Sequence, residues 1–212
     1  MAVTSAVPSA MPVQRGSVWL NDKTICVGSL MVVNTCDVAT AGNPIEVEST
    51  LPSGPTAYAN LGAAFAAINA GTHQGTINIE VCFNSTETAA TVLNSSGAGS
   101  ANYTSISIRP LADGLTISGP TVTGRGLIEL NGADNVTIDG DNPNTAGTNR
   151  NLTIQNTAAN TITYAQVIRI ALATTVITSA DNVTIKNLNL LGNATGRNIS
   201  TATSSSASPR SP

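Results

Sequence analysis

Charge is scarce in this chain. Nine Lys and Arg and twelve Asp and Glu make up 10% of its 212 residues, against roughly 25% in an ordinary soluble domain. With so few cations, and no aromatic residues among them, the sequence lacks the electrostatic footprint and stacking groups that nucleic-acid binding uses. Aromatics are scarcer still, at 3%, which leaves little for a flat sugar-binding platform. Phe65 and Phe83 read as core residues, and Trp19, Tyr58, Tyr103 and Tyr164 complete the set. No apolar run approaches the ~20 residues of a membrane-spanning helix. The opening "MAVTSAVPSA" has neither the charged start nor the long apolar stretch of a secretory signal. For an exported protein, the expectation is that the signal has been removed or belongs to a longer precursor.

Histidine and cysteine are few as well. The three cysteines are Cys26, Cys36 and Cys82; no CxxC occurs and the single His73 is not near them in sequence, so a zinc site is not supported. Cys26 and Cys36 flank "VGSLMVVNT", a segment that a disulfide would close as a short hairpin, as suits an exported protein. Free thiols acting as small buried hydrophobes fit the same spacing. A Ser–His–acid hydrolase would have to use His73, and no GxSxG elbow supplies its serine.

Ala, Thr, Ser, Asn and Gly fill the chain instead, with a net charge of only −3. That composition suits β structure with a polar, uncharged surface. One helix is expected over residues 57–70, with Leu61, Ala64, Phe65 and Ile68 at i, i+3, i+4 and i+7 on one face. Thr56 is the expected N-cap and Gly71 the expected C′ residue. Beyond Gly71 the period becomes two. "TINIEVCF" sets Ile77, Ile79, Val81 and Phe83 on one face, and "TSISIRP", "GLTIS", "GLIEL" and "NLTIQ" continue the pattern as short strands.

The strands also recur. "ADNVTI" occurs at 133–138 and again at 180–185, 47 residues apart. Four x-apolar-Thr-Ile units, at 114–117, 135–138, 151–154 and 182–185, start 21, 16 and 31 residues apart. One short strand motif per 20–50 residues is a solenoid signature. On that reading 47 residues make two turns. Val136, Leu152 and Val183 then stack inside with Ile138, Ile154 and Ile185 beside them, and Thr137, Thr153 and Thr184 form an outer ladder. Asn before each strand fits a corner, because Asn tolerates the left-handed region.

The segment "TAYANLGAAFAAINAGTHQGTINIEVCFNSTETAATVLNSSGAGSANYTSISIRP", followed by "LIELNGADNVTIDG", resembles the N-terminal part of the pectate-lyase-like parallel β-helix domains of large secreted or surface bacterial proteins. The resemblance covers roughly residues 45–192. It implies an all-β fold, a right-handed parallel β-helix (solenoid) with one N-terminal capping α-helix. The expected organisation is a flexible lead (1–16), a small β element (17–50), the capping helix and coil (51–192) and a disordered Ser/Thr/Pro tail (193–212). Family members usually run for many more coils, so the last coil here is expected to be uncapped and prone to self-association.

The chemistry is thinner. "ADNVTIDGDNPN" offers Asp139, Asp141 and Asn142 as oxygen ligands for calcium, although the same residues form tight turns for backbone reasons. Glu129, Asp134, Asp139 and Asp141 are the acids that a glycosidase on this scaffold would pair, and Arg169 or Arg150 would serve a lyase. None of the motif sets of polygalacturonase-like enzymes is present in order, and shared architecture alone carries no activity. The expected role is a structural or adhesive module of an exported bacterial protein, at the cell surface or secreted, with polysaccharide or surface-glycan binding within its reach. The alternative is a polysaccharide lyase or glycoside hydrolase.

Overall fold

The computed structural model describes residues 23–25, 32–173 and 178–193. The expected lead and nearly all of the expected tail lie outside these residues, as does Cys26. The elements run in the order β1 (Lys23–Ile25), β2 (Val32–Asn34), β3 (Ile45–Leu51), β4 (Thr56–Tyr58), α1 (Leu61–Asn69), β5 (Gln74–Val81), β6 (Ser85–Thr86), β7 (Thr91–Asn94) and β8 (Tyr103–Pro110). There follow β9 (Leu115–Gly119), β10 (Gly126–Asn131), β11 (Val136–Asp139), β12 (Leu152–Asn156), β13 (Gln166–Ala171), β14 (Thr184–Lys186) and β15 (Leu188–Leu191).

Beside the antiparallel pair β1–β2 there are three sheets, ordered β14-β11-β8-β5-β3-β4, β15-β12-β9-β6 and β13-β10-β7. The first is mixed. β3 pairs antiparallel with both β4 and β5, while β5, β8, β11 and β14 are parallel neighbours. Only residues 52–55 separate β3 from β4, and so short a link allows only an antiparallel pair, since a parallel crossover needs a dozen residues or more. Ile45 and Val47, both fully buried, seal β3 onto the core. The expectation of a right-handed parallel β-helix is corrected accordingly: the described residues form a mostly-β fold of three principal sheets, one of them mixed, with a single short helix.

The register also revises the repeats. Thr137 lies opposite Thr184 and Ile138 opposite Ile185, so the two ADNVTI strands are immediate neighbours and 47 residues are one step, not two. The strand Leu152–Asn156 belongs to a different sheet, where Leu152 and Ile154 face Leu115 and Ile117 on one side and Leu188 and Leu190 on the other. The expected single Thr ladder is therefore two separate pairs, Thr137–Thr184 and Thr116–Thr153. Asn135 and Asn182, the corner residues, do take left-handed backbone, at φ 56° and 54°. Their side chains bond each other at 3.1 Å, and Asp134 accepts the Asp181 N–H at 2.6 Å. The two copies thus stack corner on corner as well as strand on strand.

The helix is shorter than the sequence predicts. Leu61, Ala64, Phe65 and Ile68 are its buried face, but Thr56 lies in β4 and the N-cap is Asn60, whose side chain accepts the Ala63 N–H at 2.8 Å. Gly71 closes the other end at φ 75°, with bonds from its N–H to the Ile68 carbonyl and from the Thr72 N–H to the Ala67 carbonyl. A Cβ at Gly71 would meet the Ser100 carbonyl oxygen at 2.5 Å. Phe65 is fully buried, whereas Phe83, beyond the end of β5, is 42% exposed. Apart from Phe65 and Tyr103 the core is aliphatic, built from such residues as Ile77, Ile79, Ile106, Ile108, Leu130 and Ile138.

Candidate functional site

Most polar side chains in this fold are committed to holding it, which narrows the search for a site. Asp139 ends β11 facing Lys186 of β14, with 3.1 Å between Oδ2 and Nζ. Its Oδ1 accepts the Asn187 amide at 2.8 Å and the Asp141 N–H at 3.2 Å. Burial works against its ionised form, but these donors outweigh it and hold the carboxyl below its ordinary range. Asp141 accepts the Asn149 N–H at 2.6 Å. Asn142, 4% exposed, donates to Asp113 at 2.7 Å and to Thr145 at 3.1 Å, and accepts the Asn144 N–H. Asp113 collects three side-chain donors in all, from Asn142, Thr145 and Asn151, and those from Asn142 and Thr145 keep its carboxyl ionised to lower pH than usual. The DGDNPN segment is thus a stitched turn. Gly140 is required there because a Cβ would collide with the Asn187 carbonyl.

Glu129 stands elsewhere, in the β7–β10–β13 sheet, and is 1% exposed. Arg125 grips it in a fork with two contacts of 2.6 Å, the Gly126 N–H adds a third at 2.8 Å, and Arg169, its register partner on β13, lies 3.6 Å away. The hydrogen bond to Glu129 raises the Arg125 pKa further, against the effect of burial. The candidate residues therefore fall into three places: Glu129 with Arg169, Asp134 at a corner, and Asp139 and Asp141 in one turn, where Asp139 pairs with Lys186. Among the described residues the one group of three acids close enough to share a cation is Asp37, Glu46 and Glu48. There the buried Glu46 carboxylate already accepts the N–H groups of Asp37, Val38 and Ala39 at 2.7–2.9 Å, so it serves as an anionic anchor for that loop.

His73 is completely buried. Its Nδ1 lies 3.0 Å from Ser49 Oγ and its Nε2 lies 2.6 Å from the Tyr58 hydroxyl. Ser49 donates its one proton to the Pro52 carbonyl at 2.9 Å. Nδ1 then carries the ring proton and donates to Ser49, while Nε2 accepts from Tyr58. A ring in that tautomer cannot take a proton from Ser49, so the trio ties β3 and β4 to the turn after α1 and does not activate a nucleophile.

Burial lowers the His73 pKa below its ordinary value. Between the folded pKa and the unfolded value of about 6.5 the unfolded chain binds more protons, so stability rises with pH across that window. The contribution is complete above about pH 6.5 and is lost as pH falls through the folded pKa. His73 is the only histidine, and Asp113 and Asp139 are held below the ordinary carboxylate range. Urea midpoints at pH 8 and pH 5 should differ in the native protein, and in His73→Asn the difference should shrink sharply. An unchanged difference in the variant would remove His73 as the cause.

A recess among the described residues leaves polar groups over. It measures about 250 Å³ and is lined by Asn69, Asn94, Ser95, Ala98, Gly99 and Asn131, with Ala173. Register builds it. Leu93 and Leu130 are paired and fully buried, which brings Asn94 at the end of β7 opposite Asn131 at the end of β10. Asn69, the last residue of α1, accepts the Asn94 N–H at 2.9 Å and donates to the Val92 carbonyl at 2.8 Å, pinning the helix end to β7. Tyr103 donates its hydroxyl to the Asn94 carbonyl at 2.5 Å, and burial, followed by the nearby Asp134, drives its pKa far up, so it stays a donor.

The Asn131 amide donates to Asn94 Oδ1 at 3.4 Å. That leaves Asn94 Nδ2 and Asn131 Oδ1 without protein partners among the described residues. Ser95 is 2% exposed, and its hydroxyl has no partner either. Sequence reasoning passed over these residues because asparagine after a strand reads as a turn. The available signal was the recurrence of "LN" at the ends of two apolar strands, 93–94 and 130–131. No protein-family model, curated protein or solved structure matches the chain, and none therefore identifies it as a pectate-lyase-like domain.

Proposed function

We propose that this chain is a structural or adhesive module of an exported bacterial protein, with glycan binding as its recognition function. The observation that carries the reading is the dispersal of its acids and bases. Glu129, Asp134 and the turn of Asp139 and Asp141 hold three different parts of the fold, the two carboxylates of that turn are engaged by Lys186, Asn187 and the Asn149 N–H, and Arg169 and Lys186 belong to different pairs. A lyase or hydrolase would need at least two of those acids, or an acid and a free base, converging on one groove. The Cys36–Cys82 disulfide accords with an oxidising compartment. Self-association belongs to the same reading. β13, β14 and β15 are edge strands of their sheets, and Ile170, Leu172, Leu190 and Leu191 near those edges are about half exposed or more. A second copy would satisfy both the open backbone groups and the apolar side chains.

The test is a panel of glycans and polysaccharides presented to the purified protein, with and without calcium, and scored for binding and for product release. Binding without products is the expected result. Products that disappear in Asp139→Ala or Asp141→Ala would make the protein an enzyme and overturn the proposal. A requirement for calcium that the same variants abolish would instead assign Asp139, Asp141 and Asn142 to a cation.

A further inference from the structure

We infer that the recess between the ends of β7 and β10 is a subsite for one neutral sugar ring with adjacent hydroxyls. The inference rests on the glycan-binding part of the proposal above and gives it a place. Three observations carry it. First, Asn94 Nδ2 and Asn131 Oδ1 offer one donor and one acceptor on neighbouring parallel strands, whose backbones lie roughly 4.8 Å apart. A pair of vicinal hydroxyls, each both donor and acceptor, bridges such a pair, whereas a carboxylate can use only the donor. Second, no charged side chain lines the recess. A charged ligand would lose water there without a counter-charge, at a cost that a neutral one avoids. Third, the buried Ser95 hydroxyl lacks a partner. An unsatisfied buried polar group is uncommon in a folded protein, and Ser95 is one of the residues lining the recess.

Shape agrees with chemistry. At about 250 Å³ the recess falls just under the roughly 300 Å³ at which sites for drug-sized ligands begin, which fits a single ring. Ala98, Gly99 and Ala173 supply small walls for the C–H face of that ring. With few hydrogen bonds and no aromatic platform, affinity for a monosaccharide is on the order of 1 mM.

The experiment is ligand-observed NMR on the full chain, titrated with glucose, galactose, mannose and galacturonic acid. At least one neutral sugar should bind, and galacturonic acid more weakly. Asn131→Ala should weaken that binding about five- to tenfold, as expected for the loss of one or two hydrogen bonds. Asn131 bonds no backbone group through its side chain, so the thermal midpoint should hold. Ala98→Leu, which adds bulk to the lining of the recess and leaves both asparagines in place, should abolish binding and guards against a folding defect in the first variant. Binding that survives both substitutions overturns the subsite and leaves the glycan reading standing. Preference for galacturonic acid overturns the neutral-ligand assignment. Silence toward these sugars and toward the whole polysaccharide panel overturns both.

Discussion

Removal of the Cys36–Cys82 disulfide is expected to lower the unfolding free energy by about 4 kcal/mol. The two residues are 46 apart, with Cα atoms 6.0 Å from each other, and closing a loop of that length in the unfolded chain costs about that much entropy. The bridge fastens the segment before β3 to the end of β5. Around it, the Cys82 N–H donates to the Pro44 carbonyl at 2.9 Å, and Glu46 holds the amides of residues 37–39. Cys36→Ala/Cys82→Ala, or addition of reductant, should move the thermal midpoint down by about 10 °C, at the 2–4 °C per kcal/mol typical of this size. Peptide mapping of the native protein should find Cys26 as the alkylatable thiol. A Cys26–Cys36 linkage, the pairing expected from sequence proximity, would defeat the prediction whatever the midpoint did.

Glu87→Ala is expected to cost a similar amount, about 4 kcal/mol. Helix α1 has no acidic residue in its own first turn, so its orphan N–H groups are served from outside. Glu87 is 2% exposed, and its two oxygens accept the Leu61 and Gly62 N–H groups at 2.9 Å each, while Ser85 donates to it at 2.8 Å. The carboxylate also sits at the positive end of the helix dipole. Alanine would leave two backbone donors and a buried hydroxyl unsatisfied, at about 1–3 kcal/mol each before relaxation. Glu87→Gln keeps the shape but turns one acceptor into a donor facing an N–H, so roughly half the loss is expected. Urea denaturation measures the cost, and amide exchange should quicken first at Leu61 and Gly62. Full protection there in Glu87→Ala would show that another group caps the helix.

Much of the local structure is legible in the residues. The spacing of Leu61, Ala64, Phe65 and Ile68 announces a helix with one buried face, and those four are its buried residues. The alternation of Ile77, Ile79 and Val81, and of Ile106 and Ile108, announces strands with one face inside, and all five are 2% exposed or less. Asn135 and Asn182 stand where left-handed corners are needed. Periodicity succeeds here because it reports which side of an element is covered, a property that neighbouring residues share.

What covers each side was decided only by the tertiary structure. The ADNVTI strands are neighbours across 47 residues, while the similar Leu152–Asn156 strand lies in another sheet, because the chain between them sets which edge each strand reaches. The antiparallel placement of β3, which separates this fold from an all-parallel coil, depends on a short link and on the edge of β5 being open to it. Cys82 rather than Cys26 meets Cys36, and Glu87 serves a helix that begins 26 residues before it. The side-chain amides of Asn94 and Asn131 meet only because Leu93 and Leu130 are held in register beside them. Each of these pairings joins residues far apart in the chain, where the entropy of loop closure and the packing of every intervening element decide the partner, and no local pattern records that outcome.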